Sequence, residues 1–155
     1  MTFSSSLAVA LLTTTCLVAG AVQAQGAPSK GEQALKFRKS AYQVMAWNFG
    51  PMSAMAQGKV PYDAAEFAKR AERVAQIAPM LSEGFPVETR DLPHSELKPA
   101  MWANRADFDA KMKDLVDRTA TLATVAKSGD FATSKAAFFD AANTCKACHD
   151  KYKND

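Results

Sequence analysis

The sequence predicts an all-α protein, an antiparallel four-helix bundle. Four stretches place apolar residues at alternating steps of about three and four, the period of a helix with one buried face. No stretch requires a strand, and the four are joined by a short, a long and a short connection, which sets successive helices antiparallel around a shared core. The chain of 155 residues is 48% hydrophobic and 23% charged, which suits one compact domain with a real core. Its formal net charge is only +3, with Lys and Arg dispersed among Asp and Glu. Without a basic run, nucleic acid is not expected as a partner.

Residues 1–24 are expected to lie outside that domain. Leu7 to Gly20 is an apolar run too short for a membrane span, and Ala21-Val22-Gln23-Ala24 supplies small residues before a signal-peptidase cut at Gln25. Met1 to Ser6 departs from the usual export pattern in carrying no Lys or Arg. The expectation is a cleaved signal peptide over 1–24, a bundle domain over 25–155, and a periplasmic protein with no membrane attachment after cleavage. Cys16 leaves with the signal, so the mature chain keeps Cys145 and Cys148.

After a Gly/Pro/Ser lead over Gly26 to Gly31, the stripe Leu35, Arg38, Tyr42, Met45, Phe49, Met52 and Met55 marks the first helix. Pro51 removes one backbone hydrogen bond, so a kink is expected there. Gln57 to Tyr62 is the first loop. Asp63 followed by Glu66 gives a capping-box-like start to the second helix, whose buried face is Phe67, Ala71, Val74, Ala78 and Leu81. Pro79 weakens its final turn and Gly84 closes it.

From Phe85 to Met101, Pro86, Pro93 and Pro99 punctuate a long connection without periodicity. A connection of that length in a compact domain is usually functional or packs over something. The third helix runs from about Asn104 to Lys127 on the stripe Phe108, Met112, Leu115, Thr119, Leu122 and Val125, and Ser128-Gly129 ends it. Asp130 caps the fourth helix, which carries Phe131, Ala137, Phe138, Ala141 and Ala142 and continues to Tyr152.

That last helix contains Cys145-Lys146-Ala147-Cys148-His149, the C-x-x-C-H pattern of covalent c-type haem attachment. On a helix the two thiols lie one turn apart on one face, placed to form thioethers with the vinyl groups on one edge of a haem. His149 then ligates the iron. The competing chemistries fit less well. A thioredoxin-like pair is expected at a strand-to-helix turn. A structural zinc site needs four ligands, and beyond the motif the mature chain offers only His94 in the Pro-rich connection. A structural disulfide leaves the adjacent histidine unexplained. One covalently attached haem c, held between helices near the C-terminal helix, is therefore the expected cofactor. With no Ser/His/Asp set, phosphate loop or second metal cluster in view, an enzyme is not expected.

Over the whole mature chain these residues resemble the class II c-type cytochromes, the cytochrome c′ family. The resemblance rests on the C-terminal place of the motif and on Phe37-Arg38-Lys39-Ser40-Ala41-Tyr42, Phe49-Gly50-Pro51-Met52, Pro61-Tyr62-Asp63-Ala64-Ala65 and Lys98-Pro99-Ala100-Met101-Trp102. It implies that Cys145 and Cys148 hold the haem and that His149 is the proximal ligand. It sets Tyr42 over the sixth iron position, with Met45 one turn on packing against the haem. Arg38, with Lys39 beside it, falls near a propionate, a reading that charge pairing favours. Glu96 matches a position near the haem edge, and Lys153 a basic residue on the proximal side. Phe85 and Trp102 are expected close to the haem. Without the motif, Tyr42 and Met45 would read as ordinary core residues, whereas Arg38 on a buried stripe calls for a partner.

Two states of the iron follow from the resemblance. If Tyr42 blocks the sixth position without binding, the iron is five-coordinate and high-spin, open to NO and CO. If Met45, Met52 or Met55 supplies a thioether, the iron is six-coordinate and low-spin, a dedicated electron carrier. Low-spin members of the family place a methionine at or near the position of Tyr42, so tyrosine favours the open form. Electron transfer with redox partner proteins, together with binding of NO or CO, is the function implied. A primary role in binding or detoxifying NO is the alternative, and the resemblance also allows a homodimer through the first two helices.

Overall fold

The run Ser29-Lys30-Gly31-Glu32 starts the first long helix by reciprocal capping. The Glu32 N–H donates to Ser29 Oγ at 3.2 Å, and the Ser29 N–H donates to the Glu32 carboxylate at 2.7 Å. The computed structural model describes residues 26–154, and the signal expected over 1–24 lies outside them. Five helices follow in order: α1 (Lys30–Ala56), α2 (Ala64–Ile77), α3 (Pro99–Ala103), α4 (Arg105–Ala126) and α5 (Phe131–Tyr152). The four long ones form the expected antiparallel bundle, with α4 packed against both α2 and α5. Among the described residues there is no strand, and only Leu97 and Lys153 form an isolated β-bridge. No helix among them is long and apolar enough to cross a membrane.

Helix α1 continues through Pro51 as one element. Proline has no N–H to offer the Trp47 carbonyl one turn back. Arg70 of α2 supplies the missing donor, its Nη1 lying 3.0 Å from the Trp47 oxygen. Arg70 Nε also sits 2.7 Å from Glu66 Oε1, an ion pair without hydrogen-bond alignment. The hydrogen bond that Pro51 removes is thus replaced from a neighbouring helix.

At the start of α2, Asp63 Oδ1 accepts the Glu66 N–H at 2.9 Å. Only half of the capping box forms, because the Glu66 carboxylate turns instead to Lys69 and Arg70. The α-helical pitch ends at Ile77, earlier than expected. Pro79 cannot continue the bonding pattern, and Ala78–Gly84 tightens into a 3-10 run. Gly84 lies against α1 so closely that a Cβ there would fall 2.6 Å from Arg38 Cβ.

The long connection is more structured than its composition suggests. It holds a 3-10 turn at Val87–Thr89 and the short helix α3. Its middle is sewn to the end of α5: the Lys98 N–H donates to the Tyr152 carbonyl at 2.8 Å, and the Asn154 N–H donates to the Glu96 carbonyl at 3.0 Å. His94 and Glu96 take positive φ values of 60° and 57° to make this turn. Asp130 caps α5 as expected, its Oδ1 accepting the Thr133 N–H at 2.8 Å. Met52, Phe67, Val74, Leu81 and Leu122 fill the bundle centre with no exposed surface.

Candidate functional site

Steps of four, three and four along α1 put Arg38, Tyr42, Met45 and Phe49 on one face, and steps of three, one and three along α5 do the same for Cys145, Cys148, His149 and Tyr152. These faces, with Phe108 and Leu115 of α4 and with Phe85, Ser95, Glu96 and Leu97 of the connection, enclose one cavity of about 580 Å³. Its size lies within the range of small-molecule and cofactor pockets, roughly 300–1,000 Å³. All eight residues singled out from the sequence, Arg38, Lys39, Tyr42, Met45, Glu96, Cys145, Cys148 and His149, line it.

Cys145 and Cys148 are unlinked, half-buried thiols on the cavity wall. Burial pushes both thiols above their usual range. His149 is held below its ordinary value, first by burial and then by the Lys153 ammonium. Its neutral imidazole is the form that binds a metal. Among the described residues, no group of three or more His, Cys, Asp or Glu side chains could hold a metal ion. The motif therefore lacks the partners that a four-ligand zinc site requires.

Arg38 tests whether a haem fits this wall. It is only 5% exposed, yet its Nη1 and Nη2 donate to backbone carbonyls alone, Gly84 at 3.2 Å and Ser95 at 2.7 Å. The guanidinium also lies over the Phe85 ring, 4.8 Å from its centroid. Burial lowers its pKa, opposed by Tyr42 and Glu96. Among the described residues no carboxylate contacts this cation, so an anionic group on a ligand has a charge to meet there. Together with two free thiols and an imidazole on one wall, the residues fit a covalently held haem.

Other expectations shift in detail. Lys39 and Glu96 pair with each other, 3.8 Å apart, and both side chains are largely solvated. Met45 is the one methionine among the cavity-lining residues. Met52 and Met55 are buried in the core instead. Phe85 lines the cavity as expected, whereas Trp102 packs on the core outside it. Lys153 borders the cavity, but it follows the end of α5 in an extended conformation rather than continuing the helical face of His149.

The sequence reading missed several lining residues, Gln43, Ser95, Leu97 and Tyr152 among them, and Tyr152 is the most buried of these. It is 1% exposed, and its hydroxyl donates to the Asp107 carboxylate, which also takes Lys151 Nζ at 3.0 Å. The signal was its place one turn beyond His149. The Tyr42 hydroxyl reaches the thioether of Met112 on α4, outside the cavity lining, at 3.9 Å, and its ring meets Phe85 edge-on at 6.3 Å. Burial, and next the nearby cysteines, push the Tyr42 phenol well above its ordinary pKa.

The family model described as cytochrome C' matches residues 33–153. The cytochrome c' of Rubrivivax gelatinosus is 36% identical over 124 residues, spanning 80% of this chain and 96% of that one. Among solved structures, cytochrome c prime from Shewanella frigidimarina superposes with a TM-score of 0.78 at 40% identity, covering 83% of this chain and all of that one. A nitric oxide complex of a cytochrome c prime variant from Alcaligenes xylosoxidans superposes with a TM-score of 0.74 at 33% identity, covering 82% and 98% of the two chains. Proteins of this kind carry a covalently attached haem c, as the motif on α5 requires. By its helical bundle, its thiol and imidazole cavity and its likeness along nearly the whole domain, the chain belongs to the cytochrome c′ family.

Proposed function

We propose that this protein is a periplasmic electron-transfer haem protein with a five-coordinate, high-spin iron that is able to bind NO or CO. Cys145 Sγ and Cys148 Sγ carry the thioethers, and His149 is the axial ligand. The haem supplies a one-electron iron couple and one position for a small ligand. Arg38 meets a propionate, Lys39 and Glu96 flank the haem edge, and Met45 packs on the ring.

The observation that carries the open-iron reading is Tyr42. Its side chain crosses from α1 to within 3.9 Å of Met112 on α4, and burial keeps its phenol protonated. A neutral phenol is a poor iron ligand, so it covers the site without filling the coordination sphere. The nitric oxide complex known for a relative supports gas binding here. Met45 favours the second reading, a six-coordinate pure electron carrier, because it is the cavity's one thioether.

Optical and EPR spectra of the ferric and ferrous holoprotein, taken before and after adding NO or CO, separate the two. The expected result is a high-spin iron that takes up the gas without first losing a ligand. A low-spin iron with a sulfur-to-iron charge-transfer band would place Met45 on the iron and end the open-site reading. Electron exchange with a small soluble donor, compared with NO affinity, separates a carrier from a protein devoted to NO. Catalysis is not part of the proposal, and peroxidase turnover well above that of free haem would contradict it.

The signal-peptide pattern read in residues 1–24 supports the periplasmic placement. Pairing of two copies through α1 and α2 is supported by Phe37, Val44 and Trp47, which share one side of α1 and are 37%, 50% and 73% exposed. Light scattering on Trp47→Glu is expected to show a monomer where the parent protein is a dimer.

A further inference from the structure

We propose that Tyr152, with Asp107 as its proton acceptor, is a redox-active site that gives up one electron when a hydroperoxide oxidises the haem-loaded protein. The inference rests on an iron that peroxide can reach, and it assigns a use to a buried phenol that takes no part in holding the cofactor.

Two tyrosines line the cavity, Tyr42 and Tyr152, and they differ in what their hydroxyls meet. The Tyr42 hydroxyl has the Met112 thioether at 3.9 Å, a weak acceptor that does not take up a proton. The Tyr152 hydroxyl donates to the Asp107 carboxylate, which is a base. The phenol is also held in place. Tyr152 is 1% exposed, Phe108 meets its ring edge-on at 5.7 Å, and the Lys98 N–H donates to its backbone carbonyl at 2.8 Å. The third tyrosine, Tyr62, bonds the Ser134 hydroxyl and lies outside the cavity lining, as do Trp47 and Trp102.

At rest the shared proton belongs to the phenol. Burial, and next the bond to Asp107, push Tyr152 up, while Tyr152 and then Lys151 hold Asp107 down. Loss of one electron reverses that order, because a phenol radical cation is a far stronger acid than a carboxylic acid. The proton then leaves along the existing hydrogen bond, and no positive charge stays on a buried ring. The Asp107 side chain is 44% exposed and can pass the proton on to water.

Reduction of hydrogen peroxide to two waters takes two protons from solvent and two electrons. One electron comes from the ferric iron. The other comes from Tyr152: its O–H bond breaks, the electron passes to the haem, the proton passes to Asp107, and a neutral phenoxyl radical remains. The oxidising equivalent is then held on the last residue of α5 instead of on the porphyrin.

The test mixes ferric holoprotein with hydrogen peroxide and freeze-quenches it for EPR, in the parent, Tyr42→Phe, Tyr152→Phe and Asp107→Asn. A tyrosyl radical signal, narrowed when ring-deuterated tyrosine is incorporated, is expected in the parent and in Tyr42→Phe and is expected to be lost in Tyr152→Phe. In Asp107→Asn, which keeps the phenol and its packing, the signal is expected to form about a hundredfold more slowly, the lower end of what a positioned base contributes. A tyrosyl signal of parent size in Tyr152→Phe, or an unchanged rate in Asp107→Asn, overturns the inference. Peroxide that alters the haem spectrum of the parent without yielding a tyrosyl radical also overturns it and leaves the open iron standing. Peroxide that leaves that spectrum unaltered contradicts the open iron and this inference with it.

Discussion

Arg70 of α2 donates to the Trp47 carbonyl of α1 at 3.0 Å, the acceptor that Pro51 leaves without a helical partner. A break in one helix has become a tie between two. Replacing Arg70 by Met is expected to destabilise the holoprotein by about 1–3 kcal/mol, the range for losing a charged donor to a carbonyl. In a Pro51→Ala background the alanine N–H can serve that carbonyl, so the same Arg70→Met change costs less. Urea unfolding of the four proteins in the cycle measures the coupling. Equal costs in both backgrounds would contradict the repair.

The close approach of Gly84 to Arg38 leaves no room for a side chain. With only 2.6 Å between a Cβ at Gly84 and Arg38 Cβ, Gly84→Ala must push the 3-10 run away from α1. A loss of about 1–3 kcal/mol is expected, as for overpacking in a core. An unchanged unfolding midpoint would show that the two segments are not tightly apposed.

Arg38 is a buried cation with no contacting carboxylate among the described residues, and in the proposed haem site its charge would bear on the iron couple. Oxidation adds positive charge to the haem, and a nearby guanidinium opposes it. Arg38→Met is therefore expected to lower the reduction potential by tens of millivolts, on the order of 1 kcal/mol for one partly screened charge. Spectroelectrochemistry checks the sign. A rise in potential would place the guanidinium's influence elsewhere.

Asp107 sets part of the acid stability. The Tyr152 hydroxyl, and next Lys151, hold its carboxyl below the ordinary aspartate value of 3.8. A carboxylate with a lowered folded pKa stabilises the fold above its unfolded value, and that contribution is lost as the pH falls through the lower, folded value. Asp107→Asn is expected to lower Tm near neutrality, where the carboxylate's contribution is fully present, and to flatten the acid limb below about pH 4, so that the two curves converge in acid. An acid limb identical to the parent's would remove Asp107 from the account.

The long helices were legible because their signals are local. Asp63 and Asp130 cap as their sequence positions indicate, and the stripes of α1, α4 and α5 carry the buried faces. The Ser29-to-Glu32 capping box was equally legible but was absorbed into the Gly/Pro/Ser lead. Periodicity also brought Arg38, Tyr42 and Met45 to the same side, and the motif fixed the opposite wall. Other features were set by partners distant in sequence. The turn around Glu96 takes its shape from Tyr152 and Asn154, and the Trp47 carbonyl that Pro51 leaves without a helical donor is met by Arg70. Trp102 is a large aromatic near the right region, but the direction of α3 turns it to the core outside the cavity. Composition states none of these directions.

The two cysteines proposed to carry the thioethers and the histidine proposed as axial ligand fall within five consecutive residues on one stretch of α5, while Arg38, Tyr42 and Met45 reach the cavity only through the tertiary fold. Opening the bundle therefore separates the two halves of the haem's surroundings unequally. The covalent tether and its neighbouring imidazole travel with the denatured chain, and the covering residues of α1 are lost. A denatured molecule keeps its cofactor and a native-like ligand beside it, so each refolding attempt starts already loaded. Recovery from transient unfolding then needs no second delivery of haem from solution.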